Sequence, residues 1–353
     1  MFGSRKGPVA TMTMTMSRRS FVAAAGLLPA AMELAARAAE AVPANKNVKW
    51  AVSLNLWGYF PGTKFTDILD VMAATGFPGI RMTGFPGSLA KYGLTVDGLL
   101  AEMTKRKLNV VTLSWNGPLA DPAQRQATLD SARAGMKFLA EFGANHLVVF
   151  SPSRGRGGAD APGAFDELCA RCNQIGEIAG EMGFTAGLHN HLGQMVQTQE
   201  EIDRFMEKVD PKLFGLSPDT AHLDLAGCDV VGTIEKYKER IHFLDYKDAK
   251  RPAPVAAEAA PASGSGAGGA SAAGGNAGAS AAAPAPARGA GFIQNIYDLG
   301  DGEVDFPACH RVLKSMKYKG WICVDLDTAR LGPMADYERC GAYVVKKLEP
   351  IYM

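Results

Sequence analysis

The sequence lacks an excess of charge of either sign. Its 37 basic and 36 acidic residues leave +1 at pH 7. Neither sign forms a long run, which argues against electrostatic capture of nucleic acid or of a membrane surface and for a small, uncharged partner. Cysteine is scarce as well: six residues, Cys169, Cys172, Cys228, Cys309, Cys323 and Cys340, are too few and too scattered for a disulfide framework. Cys169 and Cys172 have C-x-x-C spacing but fall inside a helical pattern with no second pair, so packing accounts for them. Long apolar runs are missing too. The run from Val22 to Met32 falls short of the ~18 residues a membrane span needs, and no other segment reaches that length. What remains is ample for one large core: 353 residues, 47% hydrophobic and 21% charged, suit one barrel-sized domain with extra segments.

The N-terminus reads as an address. Ser17-Arg18-Arg19-Ser20-Phe21-Val22 precedes the apolar run, and Ala39-Glu40-Ala41 offers a small-x-small cleavage pattern. Paired arginines ahead of a modest apolar region predict a twin-arginine export signal over residues 1–41, with the twin-arginine translocation machinery as partner and a periplasmic or otherwise exported location. Met16 stands directly before the motif and is an alternative start.

From residue 42 to 353 short β-like runs alternate with longer helical patterns, the mark of βα units and a parallel sheet. Strands are predicted at Trp50 to Leu56, Gly79 to Met82, Asn109 to Ser114, His146 to Phe150, Phe184 to Leu188, Phe214 to Leu216, Ile241 to Leu244 and Trp321 to Val324. Asp121 and Pro122 open a helix that Gly143 ends. Eight strands, each followed by a helix, predict a (β/α)8 TIM barrel in the α/β class. An insertion of Ala, Gly, Pro and Ser at about 251–291 has nothing to bury and reads as a tolerated excursion between the seventh strand and its helix.

A barrel places its functional groups at the C-terminal ends of its strands. That rim offers Asn55 and Trp57, Arg81, Ser114 and Trp115, Ser151, His189-Asn190-His191, Asp219 with His222, Asp245 with Lys247 and Asp248, and Asp325 with Asp327. One imidazole and three carboxylates, His189, Asp219, Asp245 and Asp325, suit a divalent, oxygen-preferring ion better than structural zinc: manganese first, with magnesium or cobalt as alternatives. Such an ion could chelate a ketone and a neighbouring hydroxyl and acidify the adjacent C–H. His191, His222 and Lys247 then stand within reach as acid–base groups, and Trp57, Arg81, Trp115 and Asn190 are left to bind substrate. Plainer roles are a helix cap for Asp219, a surface salt-bridge cluster for Asp245 to Asp248 and a turn cap for Asp325 and Asp327. His146, His242 and His310 read as hydrogen-bonded structural residues.

These residues carry a resemblance. GLHNHLGQMVQTQEEIDRF, SPDTAHLDLAG, Glu239-Arg240-Ile241 with Lys247-Asp248 after it, GDGEVDF and YKGWICVDLD resemble the sugar phosphate isomerase/epimerase group with a xylose isomerase-like TIM barrel. Within it they are most similar to the inosose (2-keto-myo-inositol) dehydratases, and the similarity runs over nearly all of Trp50 to Glu349. The resemblance implies a divalent ion held by strands five to eight, commonly through Glu, Asp, His and Glu, that activates a keto sugar or keto inositol. Asp219 and His222 match the family residues. Asp245 replaces the strand-seven His, Asp325 the strand-eight Glu and Arg81 the strand-two acid, while Ser151 stands where the dehydratases tend to carry an acid.

The leading expectation is therefore an exported, metal-dependent isomerase, epimerase or dehydratase acting next to the ketone of a keto sugar, keto glycoside or keto inositol through an enediolate. The rival is a non-catalytic carbohydrate-binding protein with a degenerate metal site. An abasic-site endonuclease of the same superfamily would need more ligands and a basic surface for nucleic acid. Homo-oligomerisation is left open.

Overall fold

The computed structural model describes residues 47–155, 159–252 and 290–352. The export signal expected at 1–41 and most of the 251–291 insertion lie outside the described residues. Strands β1 (Val48–Ser53), β2 (Gly79–Thr83), β3 (Asn109–Asn116), β4 (His146–Phe150), β5 (Thr185–His189), β6 (Gly215–Leu216) and β7 (Leu244–Tyr246) come first. A short pair, β8 (Asp248–Ala249) and β9 (Ile296–Tyr297), follows, and β10 (Gly320–Val324) is last. The first helices are α1 (Phe65–Ala74), α2 (Ser88–Lys91), α3 (Val96–Lys105), α4 (Arg125–Ala140) and α5 (Ala164–Glu181). After them come α6 (Gln199–Lys208), α7 (Thr220–Leu225), α8 (Val230–Tyr237), α9 (Phe306–Ser315), α10 (Pro333–Tyr343) and α11 (Glu349–Tyr352).

Eight strands pair in parallel in the order β6-β5-β4-β3-β2-β1-β10-β7. The ring closes between β6 and β7 through two parallel bridges, Leu216 with Ile241 and Asp219 with Asp245. The Asp245 N–H donates to the Pro218 carbonyl at 2.9 Å across that seam. The architecture is the expected (β/α)8 barrel, and its closure falls among the residues expected to be functional.

Side chains alternate across each strand, which sorts the sequence into two cores. Val52, Ile80, Leu147, Val149, Leu188, Leu216, Leu244, Ile322 and Val324 face outward and pack with the helices. Ala51, Val111, Val148, Phe243 and Cys323 form a small apolar layer inside the ring. Two residues further along, the same inward face carries Ser53, Asp245 and Asp325. A single step of period two thus turns the interior from apolar to ionic at the C-terminal end.

His146 sits on the inside, between the Thr185 hydroxyl at 2.7 Å and the Ser217 hydroxyl at 2.9 Å, and stacks on Phe243. Burial pushes its imidazole down from 6.5 to about 3. The unfolded chain takes a proton near pH 6.5 that the folded chain refuses, so the contribution is complete above that pH and is lost as pH falls toward 3. Between pH 6.5 and 5 this is worth on the order of 2 kcal/mol. In urea titrations at stepped pH, His146→Gln is expected to flatten that part of the acid slope; an unchanged slope would assign it elsewhere.

The insertion leaves and re-enters through an antiparallel ribbon in which Asp248 pairs with Tyr297 and Ala249 with Ile296. Lys250 and Arg330 flank the Tyr297 ring at 4.7 and 4.0 Å, and the Arg330 Nε donates to the Ile296 carbonyl at 2.9 Å. Both ends are thus held together on the barrel, which explains why a long excursion is tolerated here. Asp248 anchors the return: its carboxylate accepts from the N–H groups of Ala249, Gly300, Gly302 and Val304 at 2.8–3.2 Å. A Cβ at Gly302 would collide with that carboxylate, so the G-D-G run fits around it. Asp248 thus holds a loop. Asp248→Ala is expected to cost about 3 kcal/mol and lower the melting midpoint by roughly 5 °C; a loss of under about 1 kcal/mol by calorimetry would contradict the anchor.

Candidate active site

Each strand end delivers one or two groups to a common point. β5 ends at His189, followed by Asn190 and His191. Residue 219 lies three beyond β6, where its side chain does two things: one oxygen, Oδ1, accepts the His222 N–H at 3.1 Å and caps α7, while Oδ2 faces the interior. The cap reading and the site reading of Asp219 are therefore both true, one for each oxygen. Capping α7 also fixes His222 one turn in. β7 places Asp245 and Lys247 two residues apart on the same face, and β10 runs into Asp325 and Asp327 in the same way.

The charges meet as two cations among four carboxylates. Arg81, on β2, spans Asp245 Oδ2 at 3.0 Å and Asp325 Oδ2 at 2.7 Å. The Lys247 Nζ lies 3.0 Å from Asp219 Oδ2, 2.7 Å from Asp325 Oδ2 and 2.6 Å from Asp327 Oδ2. His189 Nδ1 stands 3.0 Å from Asp245 Oδ2, and its Nε2 stands 3.7 Å from Asp219 Oδ2. Arg81, Asp219 and Asp245 are 0% exposed and Lys247 1%, so these pairs act at low dielectric.

Burial sets the protonation. It pushes His189 down to about 3 and His191 to about 4, and holds His222 well below its usual value with help from His191 and Lys247. All three imidazoles are neutral at pH 7. Burial raises Asp219 and Asp245, against the pull of Lys247 and Arg81 respectively. At Asp325 burial is outweighed by Arg81 and Lys247 together, which hold the carboxyl well below the usual range. His191 Nδ1 lies 2.7 Å from the Leu192 carbonyl. A carbonyl only accepts, so Nδ1 carries the proton and Nε2 is the basic nitrogen. The His191 and His222 rings stand 3.8 Å apart, and His222 Nε2 is 3.4 Å from Lys247 Nζ.

Two open cavities flank this cluster at the ends of β1 to β4. One of about 680 Å³ is lined by Asn55, Trp57, Phe60, Lys64, Thr83 and Tyr92 among others. The second, about 590 Å³, includes Asn55, Thr83, Phe85, Ser114, Trp115 and Phe150. Asn55 joins both to the ionic cluster: its amide donates to Asp325 Oδ1 at 2.9 Å and Asp327 Oδ1 at 3.2 Å and accepts from Thr83 at 2.8 Å.

The structure thus brings together His189, His191, Asp219, His222, Asp245, Lys247 and Asp325, and puts Trp57 and Trp115 on cavity walls. Two expected substrate contacts lie elsewhere. Arg81 is wholly buried and serves as a counter-ion, because a guanidinium at that depth needs carboxylates on both sides. Asn190 is buried with both ends of its amide on the Asp219 backbone, accepting at 2.9 Å and donating at 3.3 Å, so it positions Asp219. The expected four-residue metal set also divides. Asp245 and Asp325 are taken up by Arg81, whereas the donor atoms of His189, Asp219 and His222 lie within 4.8 Å of one another, a spacing that could hold a divalent ion. Sequence reasoning missed Phe60, Lys64 and Tyr92, which come from a loop and a short helix with no periodicity to betray them. Asn55 was visible only as a polar residue on the rim.

The profile of the xylose isomerase-like TIM barrel family matches residues 69–339, and the chain belongs to that family. An inosose dehydratase of Lactiplantibacillus plantarum is 23% identical over 326 residues, covering 86% of this chain and 98% of that protein. Another, from Geobacillus thermodenitrificans, is 26% identical over 274 residues, 74% of this chain and 82% of its own. Among solved structures, the IOLI protein with a binding zinc atom aligns with a TM-score of 0.62 at 12% identity over 86% of this chain and 99% of that one, a likeness of fold.

Proposed function

We propose that the protein is an enzyme that acts next to the ketone of a keto sugar, keto glycoside or keto inositol, forming an enediolate that is reprotonated (isomerase or epimerase) or loses water (dehydratase). The observation that carries this reading is the close pair of neutral imidazoles, His191 and His222, their tilted rings 3.8 Å apart, beside the Lys247 ammonium at the C-terminal rim of the barrel. Similarity to inosose dehydratases along most of the chain supports the reaction class.

In this scheme Trp57 and Trp115 hold the ring of the substrate from the two cavities. His191 Nε2 takes the α-proton; the C–H pair becomes the C=C bond, and the carbonyl oxygen takes the charge. Lys247 stabilises that oxygen by giving up its contact with partly exposed Asp327 for it, while Asp219 and Asp325 keep the ammonium in place. The imidazolium of His191 then returns its proton to the neighbouring carbon. For the dehydratase outcome, the proton held by the His191 imidazolium goes instead to the departing hydroxyl, which leaves as water while His222, its ring 3.8 Å from that of His191, orients the leaving oxygen.

The zinc of the IOLI protein makes a divalent ion the natural cofactor to ask about, with manganese, magnesium and cobalt as further candidates. His189, Asp219 and His222 have the spacing for one. As these side chains stand they do not fit it: the Lys247 ammonium lies 3.0 Å from Asp219 Oδ2 and 3.4 Å from His222 Nε2, so a cation already faces two of the three donors. The steps above accordingly use side chains alone.

Export by the twin-arginine route is part of the proposal, supported by Ser17-Arg18-Arg19 and its apolar run. A screen of keto inositols, ketoses and 3-keto glycosides with the full chain, with and without each ion, tests the activity. Turnover of at least one class supports the reading. Saturable binding of the same compounds without turnover would favour the binding-protein alternative, for which the depth of the ionic cluster is the observation.

A further inference from the structure

We infer that Arg81 and Lys247 stand in for a divalent ion, so that the ionic centre of this barrel is complete without bound metal. Where oxygens from several strand ends converge, a dipositive ion would normally neutralise them. Here two monopositive side chains do so. Lys247 offers three N–H donors, and three carboxylate oxygens, from Asp219, Asp325 and Asp327, lie within 3.0 Å of its nitrogen. Only the Asp327 contact has hydrogen-bond geometry; the Asp219 and Asp325 oxygens face the ammonium as ion-pair partners, so three oxygens surround the nitrogen as they would a small cation. Arg81 ties the remaining carboxylate, Asp245, to Asp325 through separate nitrogens. Every one of the four carboxylates thus touches a cation, and Asp325 touches both.

The charge already in place works against an added ion. A metal bound to Asp219 Oδ2 at the usual ~2.1 Å would sit within about 5 Å of the Lys247 ammonium, given their 3.0 Å contact, in a buried site where like charges repel strongly. Arg81 cannot relieve this by losing its proton, since a guanidinium stays charged in proteins. Nor can it swing away without leaving Asp245 with no cation in contact and Asp325 with Lys247 alone. The inference stands on this geometry and holds whichever reaction the site performs. A metal measurement and a turnover assay therefore fail separately.

The test is a metal titration of the full chain. The protein is dialysed against zinc, manganese or cobalt, passed over a desalting column and analysed for metal, and its melting midpoint is followed with each ion and with EDTA. The expected result is well below one equivalent retained for every ion, with midpoint shifts under about 1 °C, since an ion that does not bind the native state cannot stabilise it. One equivalent retained by the wild type and lost in His189→Ala would overturn the inference. Lys247→Met tests the exclusion itself. It is expected to bind zinc at least ten-fold more tightly than the wild type, through the donors of His189, Asp219 and His222. A folded Lys247→Met protein that binds no more tightly would show that the ammonium is not what keeps the ion out, and would also overturn it. Should that variant not fold, the wild-type titration still decides.

Discussion

Arg81→Met is expected to destabilise the protein by about 3–5 kcal/mol, the usual cost of removing one partner from a buried ion pair, and to lower the melting midpoint by roughly 5–8 °C. Arg81 is 0% exposed and reaches two carboxylates that share its depth. Burial pulls its pKa down; Asp245 and Asp325 more than offset that and hold it above the usual guanidinium range. Methionine fills much of the volume and supplies no charge, so Asp245 and Asp325 would be left facing each other with Lys247 as their only nearby ammonium. Adding Asp245→Asn to Arg81→Met should recover part of the loss, because one of the stranded charges goes with it. Differential scanning calorimetry decides the matter. A midpoint within about 2 °C of the wild type would contradict the counter-ion role and return Arg81 to the substrate side.

The largest effect on activity is expected at Lys247. On the proposed mechanism, Lys247→Met lowers kcat/KM by about a thousand-fold or more, since it removes the charge that meets the developing enediolate oxygen. Lys247→Arg should not rescue it. The three carboxylate oxygens are gathered around one point, which an ammonium serves and a planar guanidinium does not. Steady-state kinetics on whichever keto substrate the screen returns would show this, and a loss smaller than about ten-fold in a folded variant would contradict the role.

Much of this is legible in the sequence, for a plain reason. Short apolar runs ending in polar clusters mark barrel strands, and His189, Asp219, Asp245 and Asp325 each end or just follow such a run. That pattern located the rim and the ionic cluster together, and eight such runs with intervening helices are what the barrel shows. The sequence could not show which rim groups neutralise one another. Arg81 and Asp245 are 164 residues apart, and nothing local to either tells a substrate-facing arginine from a counter-ion. Asn190 was misjudged for a similar reason: a polar residue between two histidines on a rim looks functional, yet its amide is spent on the Asp219 backbone. The ribbon of β8 and β9 was missed because strands of two residues carry no period. α7 shows in the sequence only as a cap at Asp219, because six residues after a cap read equally as a turn.

Abstraction of a proton next to a ketone is read out by following a keto inositol or 3-keto glycoside by NMR in deuterated water with the full chain. The account predicts solvent deuterium at the α-carbon, in recovered substrate or in product, with at least a ten-fold slower rate for His191→Gln, as expected when a positioned base is lost. Product formed at the wild-type rate with no deuterium at that carbon in product or recovered substrate would contradict it.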